Sequence, residues 1–328
     1  MRPCIDAVVI RKVKDVELPL QNEVPEGFKS GFVAVVGKPN VGKSTLVNGY
    51  VGQKVAIVSP KPQTTRRRLL GILTVPEAQI VFVDTPGIHE PRHKLGEYMV
   101  ETALRAIPDA DVVVFMVDVS GPPREEDRKL GRLIAERATC PCILVMNKVD
   151  LLSPAEEEER SEAYLDLTAC QESILLSATE GRNRDQLLGL IIQFLPPGPQ
   201  YYPPDQITDQ PLRFLAGELI REQVLHHLQQ EVPHWIAVVV EEFQERRPDL
   251  TYIEATVYVA KDSQKGIVIG KGGKMLKGIG QAARKEIEGL LGTKVYLELW
   301  VKIRKRWLQD EAALRSLGYV LPKPDRSG

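Results

Sequence analysis

A phosphate-binding pattern, G-x-x-x-x-G-K-S, occupies residues 37–44. Glycines in such a loop let backbone N–H groups surround phosphate oxygens, while Lys43 reaches the outer phosphates and Ser44 binds Mg2+. An apolar run precedes the pattern and a helical start follows it, which places the phosphate at a helix N-terminus. The residues expected to contact a bound nucleotide here are Gly37, Lys38, Pro39, Asn40, Val41, Gly42, Lys43, Ser44 and Thr45.

A second phosphate phrase, DTPG at residues 84–87, also follows an apolar run. A carboxylate at a strand end can hold the water shell of Mg2+, which is the role we expect for Asp84. The Gly87 N–H is expected to face the terminal phosphate of a nucleoside triphosphate. Two phosphate phrases in this order argue against a chance match.

The phrases NKVD at residues 147–150 and SAT at residues 177–179 predict which base is bound. A carboxylate at Asp150 can accept from both N1–H and the 2-amino group of guanine, whereas adenine offers neither donor. Asn147 is expected to tie this loop to the phosphate loop, and Lys148 to lie over the base. The Ala178 N–H, after Ser177, is expected to meet the guanine oxygen. The predicted cofactors are therefore GTP or GDP with Mg2+.

The elements that position these phrases alternate between apolar runs and charged helical stretches from residue 31 to residue 195. Runs that are apolar on both faces are typical of central strands of a parallel sheet covered by helices on both sides. Ligands of such open sheets bind at the carboxyl ends of the strands, where the phrases lie. We predict an α/β fold with a doubly wound, mostly parallel sheet. The predicted strands span residues 32–36, 80–83, 112–117, 142–146 and 174–176.

Composition restricts the class of protein. The chain has 328 residues, of which 43% are hydrophobic, and a net charge of −1, which suits two separately packed domains. No apolar run approaches the roughly 20 residues of a membrane span, and the first residues do not form a secretory signal, so we expect a cytoplasmic protein. The four cysteines have neither zinc-site spacing nor the density of a disulfide scaffold, and we expect buried or inert thiols.

A proline-rich segment divides the chain. Its prolines can continue neither a helix nor a central strand, so we predict a semi-rigid linker. Beyond it, leucines near helical spacing predict a helix, and two apolar runs at residues 236–243 and 251–259 predict strands. The predicted units are an N-terminal extension at residues 1–30, a first domain at 31–195, the linker at 196–210, and a second domain with its tail at 211–328.

The second domain contains a G-x-x-G loop, GKGG, between an apolar turn and an amphipathic helix. From Ser263 to Trp307 eight lysines and three arginines oppose three glutamates, giving +8, whereas the whole chain carries −1 and the rest therefore −9. This pattern resembles the KH module, in which the loop admits the backbone of about four single-stranded nucleotides. We expect RNA and not DNA. The expected RNA contacts are Ile269, Gly270, Lys271, Gly272, Gly273, Lys274, Lys277 and Arg284.

Together, the motifs GKPNVGKSTLVN, PQTTRRR, DTPGIH, IGKGGKMLKGIGQAAR and LELWVK resemble the bacterial Era family over residues 31–320. The resemblance implies a P-loop GTPase domain followed by an α+β type II KH domain. It also implies binding to the 3' end of 16S-type small-subunit rRNA and a role in assembly of the 30S subunit.

The resemblance also assigns residue roles. It places the first switch at residues 59–68 and makes Thr65 an Mg2+ ligand with Ser44 and Asp84, Thr64 being the other choice. The implied catalytic residues are Lys43, Thr65 and Gly87. Ile88 follows DTPG where other GTPases place a water-orienting glutamine, so slow intrinsic hydrolysis is expected. Asn40 matches relatives that use K+.

Three questions stay open at this point. The arginines of residues 66–68 could contact RNA or protein. The basic cluster at residues 302–306 could bind RNA, be a solvated strand end, or contact the inner face of the cell membrane as a weak peripheral anchor. The chain could also be a constitutive RNA-binding scaffold with incidental GTP turnover. The extension at residues 1–30 departs from the family pattern, and its role is unassigned.

Overall fold

A computed structural model of the protein describes residues 25–61, 63–167, 170–228 and 235–320. Most of the predicted N-terminal extension, residues 1–24, lies outside the described residues, as do residues 321–328 of the tail. Residues 29 and 30, assigned to the extension from the sequence, belong to the first strand. No helix within the described ranges has the length and apolar character needed to cross a membrane.

The first domain is built on a six-stranded sheet with strand order β2-β3-β1-β4-β5-β6. The predicted α/β fold is confirmed: all neighbouring strands are parallel except β2, which pairs antiparallel with β3 at one edge. The strands are β1 (Lys29–Val36), β2 (Leu69–Val75), β3 (Ala78–Asp84), β4 (Val112–Asp118), β5 (Cys142–Asn147) and β6 (Glu172–Leu176).

Helices cover both faces of this sheet, because the central strands β1, β3, β4 and β5 are buried almost throughout. Two apolar clusters, one on each face, form the core. The helices are α1 (Lys43–Val51), α2 (Lys94–Arg105), α3 (Glu125–Arg137), α4 (Pro154–Leu165) and α5 (Arg184–Phe194). The run of glutamates beginning at Glu156 lies in the first turns of α4, where the Ser153 and Glu156 side chains form a capping box.

The proline-rich linker is fixed against the first sheet. The Tyr201 and Tyr202 backbone N–H groups both donate to the buried Gln79 side chain, at 2.7 and 2.9 Å. Further along, the Ile72 N–H of β2 donates to the Ile207 carbonyl at 2.8 Å. The segment therefore runs along the sheet edge with its position set by hydrogen bonds.

The second domain is a three-stranded sheet, β7-β8-β9, with helices packed on one face. Its order, helix-strand-strand-helix-helix-strand, confirms the predicted α+β KH topology, with β7 antiparallel and β9 parallel to β8. The elements are α6 (Leu212–His227), β7 (Ala237–Arg247), β8 (Leu250–Val259), α7 (Asp262–Ile269), α8 (Lys274–Leu291), β9 (Lys294–Ile303) and α9 (Glu311–Ser316).

One cysteine expectation is wrong. Cys142 at the start of β5 and Cys170 before β6 form a disulfide with a Cα–Cα distance of 4.7 Å. The pairing is a tertiary effect, because β5 and β6 are neighbouring strands and the two residues are 28 apart in sequence. Cys140 is a free, partly buried thiol.

Candidate nucleotide cleft and candidate RNA surface

The four phrases of the first domain meet at the carboxyl edge of its sheet and line one cleft of about 430 Å3, within the usual size of small-ligand sites. Four of the predicted nucleotide residues are not among those that line the cleft: Gly37, Lys38, Val41 and Ser177. The predicted residues that line the cleft are Pro39, Asn40, Gly42, Lys43, Ser44, Thr45, Thr65, Gly87, Asn147, Lys148, Asp150 and Ala178.

Lys43, at the first turn of α1, is the buried cation of the cleft. Its Nζ donates to the carbonyls of Gly37 and Lys38, at 3.2 and 2.8 Å, so the ammonium is held over the phosphate loop. Burial lowers the pKa of Lys43 to about 8, while the nearby charge of Asp84 raises it. A phosphate in this position would favour the charged form and be held by it.

The three predicted Mg2+ ligands lie side by side. The Ser44 Oγ donates to Asp84 Oδ2 at 2.6 Å and lies 2.8 Å from Thr65 Oγ1. Burial raises the pKa of Asp84 to about 6, although the Ser44 hydrogen bond and the Lys43 charge lower it. The other carboxylate oxygen, Asp84 Oδ1, is buried without a hydrogen-bond partner. One carboxylate and two hydroxyls are hard oxygen donors, which fit the preference of Mg2+.

The same geometry distinguishes the two switch threonines. The Thr64 Oγ1 donates to the Lys61 carbonyl at 2.6 Å. Thr65, in contrast, contacts Ser44. Of the two threonines, Thr65 is therefore the one whose hydroxyl lies beside a predicted Mg2+ ligand.

Gly87 is fixed by a close approach between the two phosphate loops. A Cβ on Gly87 would come within 2.5 Å of Pro39 backbone atoms, so only glycine fits. The following Ile88 N–H donates to the Gly37 carbonyl at 3.0 Å. These contacts hold the predicted oxyanion donor beside the phosphate loop.

Asn147 connects the base loop to the phosphate loop. Its Nδ2 donates to the Val41 carbonyl at 2.7 Å, and its Oδ1 accepts from the Ala178 N–H at 2.9 Å. The N–H that the sequence assigns to the guanine oxygen is thus bonded to Asn147 in this structure. Asp150 is exposed on the cleft wall, in position to meet a base.

Asp118, at the end of β4, is a site residue that the motifs did not reveal. It pairs with the Lys148 ammonium, so it orients the side chain expected to cover the base. Burial raises the pKa of Asp118, but hydrogen bonds from Lys148 and Ser120 outweigh it and hold this pKa below its ordinary value. Its position at a strand's carboxyl end is the signal that could have identified it.

The first switch and the DTPG loop are joined by His89. Its Nδ1 lies 2.9 Å from the Gly87 carbonyl and its Nε2 lies 3.0 Å from Gln63 Nε2. A single tautomer satisfies both contacts, with Nδ1–H donating and Nε2 accepting. His89 thus connects the two segments that flank the terminal phosphate position.

In the second domain, the GKGG loop lies between α7 and α8. The predicted contacts Lys271, Lys274, Lys277 and Arg284 are all exposed, and the last three share one face of α8 opposite its buried residues. A cationic stripe beside a glycine loop suits a nucleic-acid backbone. Ile267 of α7, not among the sequence predictions, is 48% exposed and adds an apolar surface next to the loop.

The first switch also rests on the second domain through α6. The Val58 N–H donates to the buried carboxylate of Glu222 at 2.9 Å, and the Arg221 guanidinium donates to the Thr64 carbonyl. Ile57, two residues before the switch, is buried in the core of the second domain. The segment that carries Thr65 is thus held at two points by a helix of the other domain.

Lys54 links these contacts to α8, the helix that carries several of the expected RNA contacts. Lys54 Nζ lies 2.6 Å from Glu222 and 3.1 Å from Glu286 of α8. Helix α8, which carries the cationic stripe, is therefore linked through Lys54 to Glu222, the residue that accepts from the Val58 N–H.

The open question about the switch arginines is resolved for two of them. Arg66 is buried and donates to the Ile236 carbonyl, with its guanidinium over the Trp307 ring. Arg67 donates to the Leu317 carbonyl at 2.6 Å. Both contact the second domain, whereas Arg68 is exposed.

Comparison with protein-family models identifies two matching families. A model described as a 50S ribosome-binding GTPase matches residues 32–148, and a KH-domain model matches residues 231–308. The matches fall on the two domains of the structure.

Individual relatives match nearly the whole chain. GTPase Era of Heliobacterium modesticaldum is 49% identical over 294 residues, which are 90% of this chain and 98% of the relative. The structure of Era with MgGDPNP and nucleotides 1506–1542 of 16S ribosomal RNA is 42% identical and has a TM-score of 0.86. The structure of an Aquifex aeolicus Era variant with GDP·AlF4− is 42% identical with a TM-score of 0.84. Each covers 90% of this chain and 100% of the solved one.

Proposed function

Because the chain belongs to the Era family of GTPases, we propose that it is a GTP-driven switch whose KH domain binds the 3' end of small-subunit rRNA during assembly of the 30S subunit. GTP, GDP and Mg2+ are its cofactors. The similar Era that binds a 16S rRNA segment supports the RNA target.

One observation carries the GTPase chemistry. Ser44, Thr65 and Asp84 converge within hydrogen-bond distance of one another, directly beside the buried Lys43. A bound metal ion and phosphate would use these three oxygen donors and the buried ammonium together. The pocket around them joins the phosphate and guanine phrases.

Each catalytic role follows from position. Lys43 and the Gly87 N–H would neutralise charge on the terminal phosphate, and Thr65 would help to hold Mg2+, which would supply further positive charge there. Ile88 has no polar group with which to orient water, so intrinsic hydrolysis is slow. Asn40 donates to the Pro60 carbonyl at 2.7 Å, which places the proposed K+ residue between the phosphate loop and the switch.

Coupling between the two ligands is part of the proposal. Loss of the terminal phosphate would release Thr65, and with it the backbone from Val58 to Thr64 that Glu222 and Arg221 hold at its two ends. RNA should consequently bind more tightly to the GTP form, and by linkage GTP should bind more tightly to the RNA complex. A cytoplasmic location suits these partners.

The test is the affinity for a labelled oligonucleotide from the 3' end of 16S rRNA, measured with GDP and with a non-hydrolysable GTP analogue at one fixed salt concentration. We expect about tenfold tighter binding in the GTP form, or about 1.4 kcal/mol of coupling. Equal tight binding in both states would favour the constitutive scaffold. Absence of binding in both states would refute the RNA target.

The membrane alternative needs a separate assay. Sedimentation with anionic liposomes would detect an anchor formed by the basic cluster at residues 302–306. We expect the protein to stay in the supernatant. Sedimentation that is lost when Lys305 and Arg306 are both replaced by glutamine would instead establish that anchor.

A further inference from the structure

The second sheet has one face packed on helices, and the other face is covered only at one end, where Ala237, Val239 and Tyr258 pack with α2 and Trp307. Along β8 and β9, odd-numbered residues such as Ile253 and Val301 face the helices, and even-numbered residues form the other face. We propose that this second face is a docking surface for an arginine-rich segment of a partner protein. We call it the open sheet face and define it by Tyr252, Glu254, Tyr296, Glu298 and Trp300.

Two large aromatic side chains of this face are strongly exposed. Tyr296 is 54% exposed and Trp300 is 53% exposed, and both lie on β9, four residues apart. Tryptophan and tyrosine are enriched at protein interfaces and at their energetic centres. A pair of them on one strand is an interaction surface that the sheet itself does not need.

Between Tyr296 and Trp300, a row of three glutamates crosses the three strands of the sheet. Glu242, Glu254 and Glu298 are directly opposite one another on the three strands. Like charges placed directly opposite in a sheet are destabilising. Within the described part of the chain, none of the three has a lysine or arginine nitrogen within 4.0 Å. The three glutamates therefore form no ion pair within the described residues, and a cationic partner would relieve the repulsion.

A buried hydroxyl belongs to the same face. Thr256 lies between Glu254 and Tyr258 on β8 and opposite Trp300 on β9. It is fully buried, and its Oγ1 has no hydrogen-bond partner. An unpaired buried hydroxyl is destabilising, and this one lies beside the residues that define the open sheet face.

The protein itself shows how an arginine binds here. The Arg246 guanidinium stacks over the Tyr252 ring at 3.7 Å from its centre. The Tyr252 hydroxyl in turn donates to Glu298 at 3.0 Å. Arginine stacks on aromatic faces and pairs with carboxylates better than lysine does. Tyr296 and Trp300, with the acidic row between them, offer a partner arginine the same two contacts.

The chemistry of the face favours protein over nucleic acid. Phosphates would be repelled by the glutamate row, and the basic contacts expected for RNA lie on the helices α7 and α8 and the loop between them. The length from Tyr252 to Tyr258 is about 20 Å, enough for an extended segment of about six residues. An arginine at every second position would present its side chains at the spacing of the rows.

The test is fluorescence anisotropy of labelled ten-residue peptides with the full chain, GDP and Mg2+ at one fixed salt concentration. One peptide alternates arginine with threonine, and its matched counterpart alternates lysine with threonine. We expect the arginine peptide to bind about fivefold more tightly, because only guanidinium stacks well on the rings. Trp300→Ala, and separately the pair Glu254→Gln with Glu298→Gln, should each weaken binding by about tenfold.

The control removes the same charge elsewhere. Glu158→Gln with Glu162→Gln changes two exposed carboxylates of α4 and should alter affinity by less than about twofold. Circular dichroism melts identify any variant that does not fold, and Trp300→Phe, which keeps an aromatic ring, should retain most of the binding. Equal losses in the α4 control, or no binding by the parent protein, would overturn the proposal. Loss of rRNA affinity in Trp300→Ala would assign the face to RNA and overturn it too.

Discussion

At the scale of single residues, the choice of base depends on one carboxylate. Asp150 lines the cleft, is exposed and is free to meet two donors of guanine. Asp150→Asn replaces an acceptor-only group by an amide that both accepts and donates. Two charge-assisted bonds are worth about 1.5–3 kcal/mol each, so we expect GTP affinity to fall at least roughly 100-fold.

The same variant should gain affinity for a xanthosine nucleotide, whose 2-oxo group accepts from the new amide. Titration calorimetry with both nucleotides measures the exchange. Asp109→Asn, an exposed aspartate outside the cleft, is the matched control. Unchanged GTP affinity in Asp150→Asn would remove this residue from the base site.

Thr65 and Thr64 provide a second test at this scale, because adjacent residues of one type point to different partners. Thr65→Ala removes the hydroxyl 2.8 Å from Ser44, while Thr64→Ala removes one bonded to Lys61. A ligand to Mg2+ in the GTP state should affect hydrolysis more than GDP binding. We expect Thr65→Ala to lower kcat about tenfold or more and to raise the Mg2+ requirement, with GDP affinity within about twofold.

The readout is single-turnover hydrolysis at several Mg2+ concentrations. Thr64→Ala should hydrolyse GTP at nearly the parent rate. The reverse ranking of the two variants would move the Mg2+ ligand to Thr64.

At the scale of elements, the GKGG loop decides whether RNA can approach. Gly272 has φ +59°, and a Cβ there would meet no atom within 4 Å, so an aspartate fits in a conformation that it tolerates. Its carboxylate would stand in the path of a phosphate backbone. We expect Gly272→Asp to weaken rRNA binding at least about tenfold without changing GTP affinity.

Gly289→Asp gives the same charge change in an open, exposed position of α8 and serves as the control. Filter binding with the 3'-terminal oligonucleotide compares the two. Parent-like RNA affinity in Gly272→Asp would contradict the KH assignment.

Elements also mark the limit of sequence reasoning. The strands carrying the phosphate and base phrases were predictable because their apolar runs are continuous, and the closeness of Ser44 to Asp84 follows from neighbouring strand ends. The pairing of Asp118 with Lys148 and the Cys142–Cys170 bond depend on which strands become neighbours, which no local pattern encodes. The edge strand β2 was not predicted from the sequence, because no phosphate-binding motif follows this antiparallel strand.

At the scale of the whole molecule, the two domains share a buried contact that includes α2, which follows the DTPG loop, and the residue Ile57 before the first switch. Leu95 and Met99 of α2 pack with Trp307 and Leu314 of the second domain, and Ile57, two residues before the first switch, packs in the core of the second domain. Burial of apolar surface makes this contact sensitive to small shifts of either switch. We therefore expect a change at the terminal phosphate to change the position of one domain relative to the other.

The ion pairs of Lys54 join the two domains, so mutation of these residues can test how the nucleotide state is coupled to RNA binding. In this structure Thr65 lies beside Ser44, so the switch is in the position that would hold Mg2+, and Lys54 bridges Glu222 to Glu286 in the same arrangement. Lys54→Met or Glu286→Gln should weaken the arrangement linked to GTP. The partly exposed pair with Glu286 is worth about 0.2–1 kcal/mol, so Glu286→Gln should lower the ratio of RNA affinities in the two nucleotide states about 1.4- to fivefold. Lys54→Met also loses the pair with Glu222 and should lower the ratio at least as much.

A double-mutant cycle tests whether the two residues act together. If Glu286 acts only through its contact with Lys54, the double variant should lose no more coupling than Lys54→Met alone. By linkage, the ratio of GTP affinities with and without RNA must fall by the same factor, which a separate titration measures. Arg132→Met breaks an exposed ion pair with Glu125 far from the domain contact and should leave both ratios unchanged. Additive losses in the double variant would mean that the coupling passes through other contacts, such as those of Arg66 and Arg67.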